Sequence, residues 1–552
     1  MHVRLLAALP LVALVAACSA AGSSSATAPD AGEAAPDAGD PDSAGGVPRD
    51  AGAPSDAHAS DAASTDAGAD GPADAAPPAD LGPGGDFRAY ADGVAAALQA
   101  MYDPSTGLFP STGWWNSANA LTALIDYSAR TKSTTYASDI ATTFDRNDGA
   151  HFLDSYYDDE GWWALAWIDA YDLTHEGRYL SMAGTIFADM TGGWDSTCKG
   201  GIWWSKSRTY KNAIANELFF LVAVRLHERV TEDGGPRTYL DWAKREWAWF
   251  DASGMIGAQS LVNDGLDSSC KNNGQTTWTY NQGVLFGALV DLAEVEGDAT
   301  LLARAQTIGD AAMKHLVDDV GVLREPCEPS CGGDGPQFKG IFMRHLAELA
   351  AATGAARDIA FLTTNADWIW NAARGSGDQV GLGWSQAFDS ADGARQGSAL
   401  DALNATIPYA APQSNEALSK SAAASGSCAT DQTAAQAFDG KVTTKWCSGA
   451  TSTGYWLDVD LGSVAAVGRI IVRHAGAGGE STAWNTRDFS LSASDDDKTW
   501  TPLASVTGNT RDVTIHRFAS TQARYVRMGI TAPQTDPKTV AARIDELEVY
   551  GR

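Results

Sequence analysis

Residues 157–167, YDDEGWWALAW, are the stretch from which the fold of this chain is best approached. Apolar residues from 160 to 173 recur at three- and four-residue spacing, which predicts a helix. Two neighbouring carboxylates, Asp158 and Asp159, come directly before it, and three tryptophans follow within nine residues. Because carboxylates are costly to bury among apolar rings, this cluster indicates a site that uses them.

The same apolar periodicity extends on both sides of this stretch, from residue 86 to about residue 412. It predicts twelve helices joined by connections rich in Gly, Asp, Ser and Pro, with no convincing strands between them. The predicted helices cover residues 86–101, 115–130, 134–148, 160–173, 177–190, 209–229, 234–250, 276–295, 299–315, 337–353, 356–374 and 395–410. Paired helices in this number favour an all-α (α/α)6 barrel for residues 86–412, in which inner helices line a central depression.

The pattern changes to short β-rich runs at about residue 413. Leu457, Val459 and Leu461 alternate with aspartates, which is typical of a strand with one buried face. Further short apolar runs between turn signals follow at 470–472 and 525–528. We therefore predict that residues 413–552 form a separate β-sandwich domain.

The first 18 residues have the shape of a secretory signal peptide. A short basic start precedes an apolar stretch over residues 5–17, which is too short to span a bilayer comfortably. Cys18 follows a run of small residues that resembles a bacterial lipobox, which implies cleavage before Cys18 and a lipid anchor on its thiol. Ser19 in the next position favours an outer-membrane or cell-surface location. Ordinary signal cleavage beside a chance cysteine is the alternative.

Residues 19–85 consist chiefly of Ala, Asp, Pro, Ser and Gly, and they carry twelve acidic residues against Arg49 alone. Such a segment lacks the apolar surface that would offset its chain entropy, so it predicts a disordered tether. The segment also contributes much of the formal net charge of −30. That charge argues against nucleic acid as a partner, because phosphate binding needs clustered Lys and Arg.

Six cysteines remain once Cys18 is assigned to lipid, and an even number in an exported protein suggests disulfides. Cys327 and Cys331 could close a small loop, and Cys428 and Cys447 fall in one C-terminal unit. Cys198 and Cys270 are then left for each other. No CxxC pair or HExxH-like spacing is present, which argues against a zinc site.

Paired carboxylates are the chemistry of glycoside hydrolysis. In a retaining enzyme they lie roughly 5 to 5.5 Å apart, and in an inverting enzyme roughly 6.5 to 9.5 Å apart. Neighbouring residues at a helix start suit the shorter separation, so retention is the better interpretation of Asp158 and Asp159. Crowding and an apolar tryptophan wall would raise the pKa of one of the two acids. The alternative is structural, with both acids and Glu160 complementing a helix N-terminus.

Tryptophans are concentrated around these acids and in Gly-rich or loop-adjacent settings. They are Trp114, Trp115, Trp162, Trp163, Trp167, Trp203, Trp204, Trp278 and Trp384. Because aromatic faces stack on the C–H faces of sugar rings, a cleft with many indoles suits a polysaccharide. Any one of these tryptophans could instead be part of the core.

Six motifs together resemble glycoside hydrolase family 76. They are WWNSANALTAL (114–124), YDDEGWWALAW (157–167), GGIWW (200–204) with YKNAIANEL (210–218), WTYNQG (278–283) and GDGPQFKGIF (333–342). The resemblance implies an (α/α)6 barrel and a retaining endo-α-1,6-mannanase acting on α-mannan. It also implies that Asp158 is the nucleophile and Asp159 the acid/base. The loop that carries Cys327 and Cys331 departs from the family pattern.

Further residues of these motifs are candidates for sugar contact or for support of the site. They are Trp115, Asn119, Trp162, Trp163, Trp203, Trp204, Asn216, Trp278, Tyr280, Asn281, Gln282, Asp334 and Lys339. For the polar members, helix capping or buried hydrogen bonding is the alternative.

The C-terminal region resembles the discoidin, or coagulation-factor type C, jelly roll of carbohydrate-binding module family 32. The resemblance rests on AFDGKVTTKW (437–446), IIVRHAGAGGE (470–480) and RIDELEVYG (543–551). It implies a structural Ca²⁺ at Asp439, Thr444 and Glu546, whose hard oxygen ligands suit calcium; plain turn chemistry is the alternative at Asp439. The candidate sugar contacts in this domain are His474, Glu480, Trp484, Asn485 and Arg487.

These interpretations together predict a monomeric cell-surface endo-mannanase that needs no cofactor for catalysis. Two alternatives stay open at this stage. A transglycosylase would use the same two acids and pass the glycosyl group to a sugar instead of water. A non-catalytic glycan-binding surface lipoprotein would use the barrel for binding alone.

Overall fold

A computed structural model describes residues 86–230, 237–411, 413–449, 454–534 and 541–551. The predicted signal peptide, Cys18 and the predicted tether lie outside the described residues. Within the described ranges, none of the helices is both long and apolar enough to cross a bilayer.

Twelve α-helices form the first part of the described chain, as the periodicity predicts. They are α1 (Phe87–Gln99), α2 (Trp114–Thr131), α3 (Ala137–Asn147), α4 (Tyr157–Thr174), α5 (Gly177–Thr191), α6 (Ala213–Arg229), α7 (Tyr239–Ser253), α8 (Thr279–Glu296), α9 (Ala299–His315), α10 (Gly335–Thr353), α11 (Ala356–Asn371) and α12 (Gly393–Asn404). The predicted bounds differ where a capping residue intervenes. Helix α7 begins after Thr238, which forms a capping box with Asp241, and not at residue 234.

The even-numbered helices form a closed series of neighbours. Each contacts the next even-numbered helix along the chain, and α12 returns to contact α2. These helices are buried on most of their faces, whereas α3 buries only Ile140, Thr143 and Phe144. A helix that is apolar on all sides belongs in an interior, so the even-numbered helices are the inner ones.

Three of the inner helices are fastened to the loop before them in the same way. The fourth residue of each is an amide, Asn216, Gln282 or Gln396. Asn216 and Gln282 each bond both the N–H and the C=O of one loop residue, Ile202 and Val262 respectively. The Gln396 amide accepts from the N–H of Val380 and donates to other carbonyls. These amides satisfy loop backbone groups that would otherwise be buried without partners.

Seven strands form an antiparallel sheet in the second part of the chain. They are β1 (Ser421–Ala424), β2 (Trp446–Cys447), β3 (Tyr455–His474), β4 (Asp488–Ser494), β5 (Thr501–Val506), β6 (Val513–Ala532) and β7 (Arg543–Tyr550). The sheet order is β2-β7-β3-β6-β4-β5, and β1 pairs with β3. Leu457, Val459 and Leu461 are buried, as their alternation predicts.

Three disulfides join the cysteines of the described residues. Cys198 pairs with Cys270, Cys327 with Cys331, and Cys428 with Cys447. All three predicted pairings are confirmed.

Candidate active site

A cavity of about 440 Å³ opens at the N-terminal ends of the inner helices. Its wall contains both acids of the central motif together with seven aromatic residues and three further polar residues. The lining residues are Trp115, Tyr156, Asp158, Asp159, Trp162, Trp204, Tyr210, Asn212, Asp264, Tyr280, Asp334 and Phe338. The structure therefore brings Asp158 and Asp159 to one cavity, where both side chains can reach the same ligand.

The start of α4 is fixed by contacts that do not involve the two aspartates. The N–H of Tyr157 donates to the carbonyl of Trp204 at 2.9 Å. Glu160 is fully buried, accepts a hydrogen bond from the Asp154 N–H and pairs with Lys206 at 2.7 Å. Of the three acids in the first turn, Glu160 has the structural role, which leaves the other two available for chemistry.

Asp158 is held by an indole. Trp204 Nε1 donates to its Oδ2 at 2.8 Å, and the N–H of Asp159 donates to its Oδ1 at 3.2 Å. Burial raises the pKa of Asp158 to about 7, and these hydrogen bonds oppose a larger rise. Near neutral pH a substantial fraction of Asp158 is therefore ionised.

Asp159 has the higher pKa of the two. Burial, together with the charges of Asp158 and Asp154, raises its pKa to about 8. No hydrogen-bond donor contacts its carboxylate among the residues that the structure describes. The sequence predicts a raised pKa for one of the two acids, whereas in the structure the pKa of both is raised. Asp158 has the lower pKa of the two and Asp159 the higher.

Aromatic rings form one wall of the cavity. Tyr280 stacks on Phe338 with centroids 3.9 Å apart and planes 13° from parallel. Trp115 lies 5.7 Å from Trp162 and 6.1 Å from Phe338 in stacked orientations. These rings come from four inner helices, α2, α4, α8 and α10. They build a continuous apolar surface of the kind on which sugar rings stack.

Polar groups and further rings face this wall. Trp115 Nε1 donates to Asp334 at 2.9 Å. Asp264 accepts hydrogen bonds from the Tyr210 hydroxyl and from Trp278 Nε1. Of the predicted contacts, Trp115, Trp162, Trp204, Tyr280 and Asp334 line the cavity.

The sequence reasoning missed five lining residues: Tyr156, Tyr210, Asn212, Asp264 and Phe338. All but Asp264 lie in or directly beside the quoted motifs, so membership of a motif was the signal that pointed to them. Asp264 lies in an Asn-Asp-Gly turn, which looks like ordinary loop chemistry in the sequence.

Several residues predicted to contact sugar are buried, do not line the cavity and instead bond other parts of the protein. Asn216 and Gln282 are fully buried and clasp the loop backbone, so the prediction of direct sugar contact is corrected for both. Asn119 is buried against Arg344, and Lys339 is buried against Glu328 and the Leu382 carbonyl. Their polar groups already have protein partners.

Four other predicted contacts also lie off the cavity wall. Trp163 is fully buried and packs on Phe152, so it is a core residue and not a sugar contact. Asn281 is fully buried as well. The Trp203 indole donates to Asp195 at 2.7 Å. The Trp278 indole donates to Asp264, which itself lines the cavity.

The structure buries two of the five predicted sugar contacts of the sheet domain and leaves the other three at least partly accessible. His474 and Asn485 are fully buried, which corrects the prediction for both. Burial lowers the pKa of His474 to about 3, so it is a neutral core residue. Glu480 pairs with Lys445 at 2.5 Å. Arg543 lies over the Trp484 ring at 4.5 Å and 3.9 Å from Glu480, so Glu480 and Trp484 lie near each other. Arg487 is exposed, and sugar contact by these three residues stays a prediction.

The three predicted calcium ligands lie close together. The Thr444 hydroxyl is 2.9 Å from both carboxylate oxygens of Asp439, and Glu546 Oε1 accepts from the Gly440 N–H at 3.0 Å. Glu546 Oε2 is buried without a hydrogen-bond partner among the described residues. Burial, together with the charges of Glu548 and Asp439, raises the pKa of Glu546 to about 7. An unpartnered carboxylate oxygen beside Asp439 fits a hard cation.

Two comparisons with known sequences agree with this geometry. The signature of glycosyl hydrolase family 76 matches residues 87–446, and that of the F5/8 type C domain matches residues 421–546. The mannan endo-1,6-alpha-mannosidase DCW1 of Saccharomyces cerevisiae is 28% identical over 58% of this chain and 79% of its own length. A putative mannan endo-1,6-alpha-mannosidase of Schizosaccharomyces pombe is 27% identical over 46% of this chain. The matched region covers 64% of that relative's length.

Solved structures share the helical fold. The alpha-1,6-mannanase GH76A of Salegentibacter sp. HEL1_6, 24% identical, superposes with a TM-score of 0.53 over 59% of this chain and all of its own. An inactive variant of that enzyme, in which two consecutive aspartates are replaced by alanine, was solved with alpha-1,6-mannotetrose and gives a TM-score of 0.54 at 23% identity. The matched family signature covers more than half of the chain. The chain therefore belongs to glycosyl hydrolase family 76, and it carries a C-terminal F5/8 type C domain.

Proposed function

We propose that this protein is an endo-acting hydrolase of α-1,6-linked mannan that retains anomeric configuration. The observation that carries the proposal is the pair Asp158 and Asp159, two adjacent acids with different pKa values on one aromatic-walled cavity. The named activity of the fungal relatives and of the Salegentibacter enzyme supports the choice of substrate.

Each acid has one role in the first step. The ionised Asp158 attacks the anomeric carbon, while the protonated Asp159 gives its proton to the departing glycosidic oxygen. The bond between that carbon and oxygen breaks, and a glycosyl ester forms on Asp158. Trp204 keeps the attacking carboxylate oriented through its indole N–H.

The second step regenerates both acids. Asp159, now ionised, takes a proton from water, and the water oxygen attacks the anomeric carbon from the opposite face. The ester bond to Asp158 breaks, so Asp158 leaves as a carboxylate. Two inversions give net retention, and the free sugar carries the configuration of the substrate.

The same proposal includes two predictions about the fold, the (α/α)6 barrel and the jelly-roll sandwich. The closed series of inner helices α2, α4, α6, α8, α10 and α12, with the odd-numbered helices outside, supports an (α/α)6 barrel. The likeness of the C-terminal region to F5/8 type C domains supports a jelly-roll sandwich. In this arrangement the N-terminal ends of the inner helices form the floor of the active site.

We further propose that Asp439, Thr444 and Glu546 hold a structural Ca²⁺. Calcium would supply the partner that Glu546 Oε2 lacks in the described residues. Adding millimolar Ca²⁺ to chelator-treated protein should raise the melting temperature, and Glu546→Gln should remove the rise. An unchanged melting temperature in the wild type would contradict a calcium site.

Cell-surface anchoring through a lipid on Cys18, with residues 19–85 as a spacer, completes the proposal. It rests on the sequence pattern of residues 1–85 and on mannan, a polysaccharide, as the substrate in the relatives' name. Mass spectrometry of the mature N-terminus should find a lipid-modified cysteine. An unmodified terminus at any other residue would contradict it.

The decisive experiment for activity is digestion of unbranched α-1,6-mannan, followed by separation of products by size. We expect a ladder of short oligosaccharides from the wild type and none from Asp158→Asn/Asp159→Asn. Products longer than the substrate would indicate a transglycosylase. An intact substrate with the wild type, together with retention of the protein on mannan, would indicate binding alone.

A further inference from the structure

Every ionisable side chain in the wall of the active-site cavity is an acid or a tyrosine. The acids are Asp158, Asp159, Asp264 and Asp334, and the described lining includes no Lys, Arg or His. None of the four acids pairs with a cation among the residues that the structure describes. The proposed reaction uses Asp158 and Asp159, which leaves Asp264 and Asp334 without a role.

Asp264 is held by donors that carry no charge. The Tyr210 hydroxyl donates to one of its oxygens, and Trp278 Nε1 donates to the other at 3.1 Å. Burial, together with the hydrogen bond to Asp264, raises the pKa of Tyr210, so this hydroxyl keeps its proton. An indole N–H can only donate. Asp264 is therefore an acceptor on both sides, and neither partner cancels its negative charge.

Asp334 is held in a similar way. It directly precedes α10, but its side chain does not cap that helix. Its carboxylate accepts from Trp115 Nε1 at 2.9 Å, which is again a neutral donor. Its charge also reaches the reacting acids. Burial is the main cause of the raised pKa of Asp158 and of Asp159, and the charge of Asp334 adds to the rise in both.

The surroundings of these acids make their charge effective. The aromatic wall of Trp115, Trp162, Tyr280 and Phe338 replaces water on one side of the cavity, and charges interact more strongly where water is excluded. A sugar hydroxyl or an ammonium group can donate to these acceptors. A carboxylate or a phosphodiester has no proton to donate and meets like charges, which is unfavourable in a close complex.

We propose that Asp264 and Asp334 determine specificity by charge, admitting neutral or amine-bearing α-1,6-mannan to the cavity and excluding chains that carry anionic groups. The proposal rests on the proposed mannanase function for the identity of the chain. It predicts that a carboxylate or a phosphodiester on a mannose residue next to a glycosidic bond protects that bond from cleavage.

Three α-1,6-mannotrioses that differ only at C6 of the non-reducing residue test the proposal. This carbon carries a hydroxymethyl, a carboxylate or an aminomethyl group, so the size is nearly constant while the charge changes. In any productive complex the altered residue lies at the reacting bond or one residue away from it. Each triose is measured near neutral pH as a competitive inhibitor of mannan cleavage, because Ki reports binding and not the reactivity of the bond.

For the wild type we expect the carboxylate triose to have a Ki about tenfold higher than the neutral triose at low ionic strength. The aminomethyl triose should bind at least as tightly as the neutral one. Raising NaCl from roughly 20 mM to roughly 0.5 M should narrow the gap, since salt screens charge but not steric clashes. Equal Ki values for the carboxylate and neutral trioses, or a gap that salt leaves unchanged, would overturn the proposal.

Two variants assign the effect to the named acids. Asp334→Asn keeps an acceptor oxygen for Trp115, and it should lower the ratio of carboxylate Ki to neutral Ki about threefold. Asp264→Asn should act in the same direction. The ratio is taken within each protein, so a general loss of affinity cancels. Asp495→Asn is the control, because it removes the same charge from an exposed position of the sheet domain.

The ratio should be unchanged in Asp495→Asn. An unchanged ratio in both cavity variants, or an equal fall in the control, refutes charge selection by Asp264 and Asp334. For any protein that does not cleave mannan, calorimetric dissociation constants of the trioses replace Ki. If the wild type cleaves no mannan, the proposed function fails, while these constants still decide the charge selection. Calorimetry that finds no binding of any triose contradicts both.

Discussion

The two ends of helix α4 show how the same residue type acquires opposite roles. Asp158 and Asp159 lie in its first turn, face a cavity whose described lining includes no Lys, Arg or His, and have raised pKa values. Toward its other end, Asp169 lines a second cavity of about 520 Å³, and Arg225 is part of the same wall. Arg225 lies 3.8 Å from Asp169 and binds Glu348 at 2.6 Å.

The difference lies in the partner: burial raises the pKa of Asp169 to about 6 as well, but the charge of Arg225 opposes a larger rise. Burial alone would raise the pKa of Glu348, but Arg225 and His345 hold it well below its usual range. Asp158 and Asp159 are also buried, but no cation lies in the described lining of their cavity. Their pKa values therefore stay raised, and the pair retains a proton near neutral pH. The two acids that we propose as catalytic thus lie at one end of the inner helices, and acids at the other end are held in ion pairs with Arg225.

The largest expected effect is at the catalytic end. Asp158→Asn and Asp159→Asn should each lower kcat on α-1,6-mannan by roughly 10³-fold, since each removes a group that acts only in the transition state. Helical circular dichroism should be unchanged. If either variant kept more than a tenth of the wild-type rate, that acid would not have its assigned role.

At the opposite end the loss should appear in stability. Arg225→Met leaves Asp291 and Glu348 buried without their cation, so we expect the free energy of unfolding to fall by about 3–5 kcal/mol in denaturant titrations. The control is Arg88→Met, whose exposed pair with Asp92 should contribute less than about 1 kcal/mol. If Arg225→Met lowered the free energy of unfolding no more than Arg88→Met does, the ion pairs of Arg225 would not have the structural role assigned to them.

A moderate effect should follow from the indole that holds the nucleophile. Trp204→Phe keeps the ring but removes the donor to Asp158, so we expect kcat to fall about tenfold. The acid limb of the pH profile should move to higher pH, because the pKa of Asp158 rises. Trp247→Phe, on outer helix α7, is the control for loss of an indole. An unmoved acid limb would mean that Trp204 only packs.

The smallest effect concerns the cost of keeping an acid in the cavity. The folded-state pKa of Asp159 is about 8, above its ordinary value near 4, so its contribution to stability is lost as pH rises through that interval. Asp159→Asn cannot ionise, and at pH 8.5 it should be more stable than the wild type by about 1 kcal/mol after solvent screening. Equal stability of the two proteins across pH 5 to 9 would show that the cavity does not destabilise the charge.

Much of this arrangement follows from sequence patterns with short-range causes. Helical periodicity predicts all twelve helices, and the count and placement of cysteines predict the three disulfides. The adjacency of Asp158 and Asp159 places them in one helical turn whatever surrounds them. These features depend on neighbours along the chain, which the sequence contains directly.

Features that depend on contacts between distant segments were predicted less well. Asn216 and Gln282 look like sugar contacts in their motifs, but each is fully used by the backbone of a loop that precedes it by 14 or 20 residues. His474 and Asn485 are likewise buried by the sheet around them. Spacing alone does not reveal which side of a helix or strand will be covered, so supporting and binding residues carry the same pattern.

The anomeric configuration of the first product tests the central claim most directly. Wild-type protein is mixed with unbranched α-1,6-mannan in an NMR tube, and the new reducing-end signals are followed before mutarotation equilibrates them. Two neighbouring acids acting through a glycosyl ester predict that the α-anomer appears first. Initial release of the β-anomer would contradict attack by Asp158 and the retaining mechanism built on it.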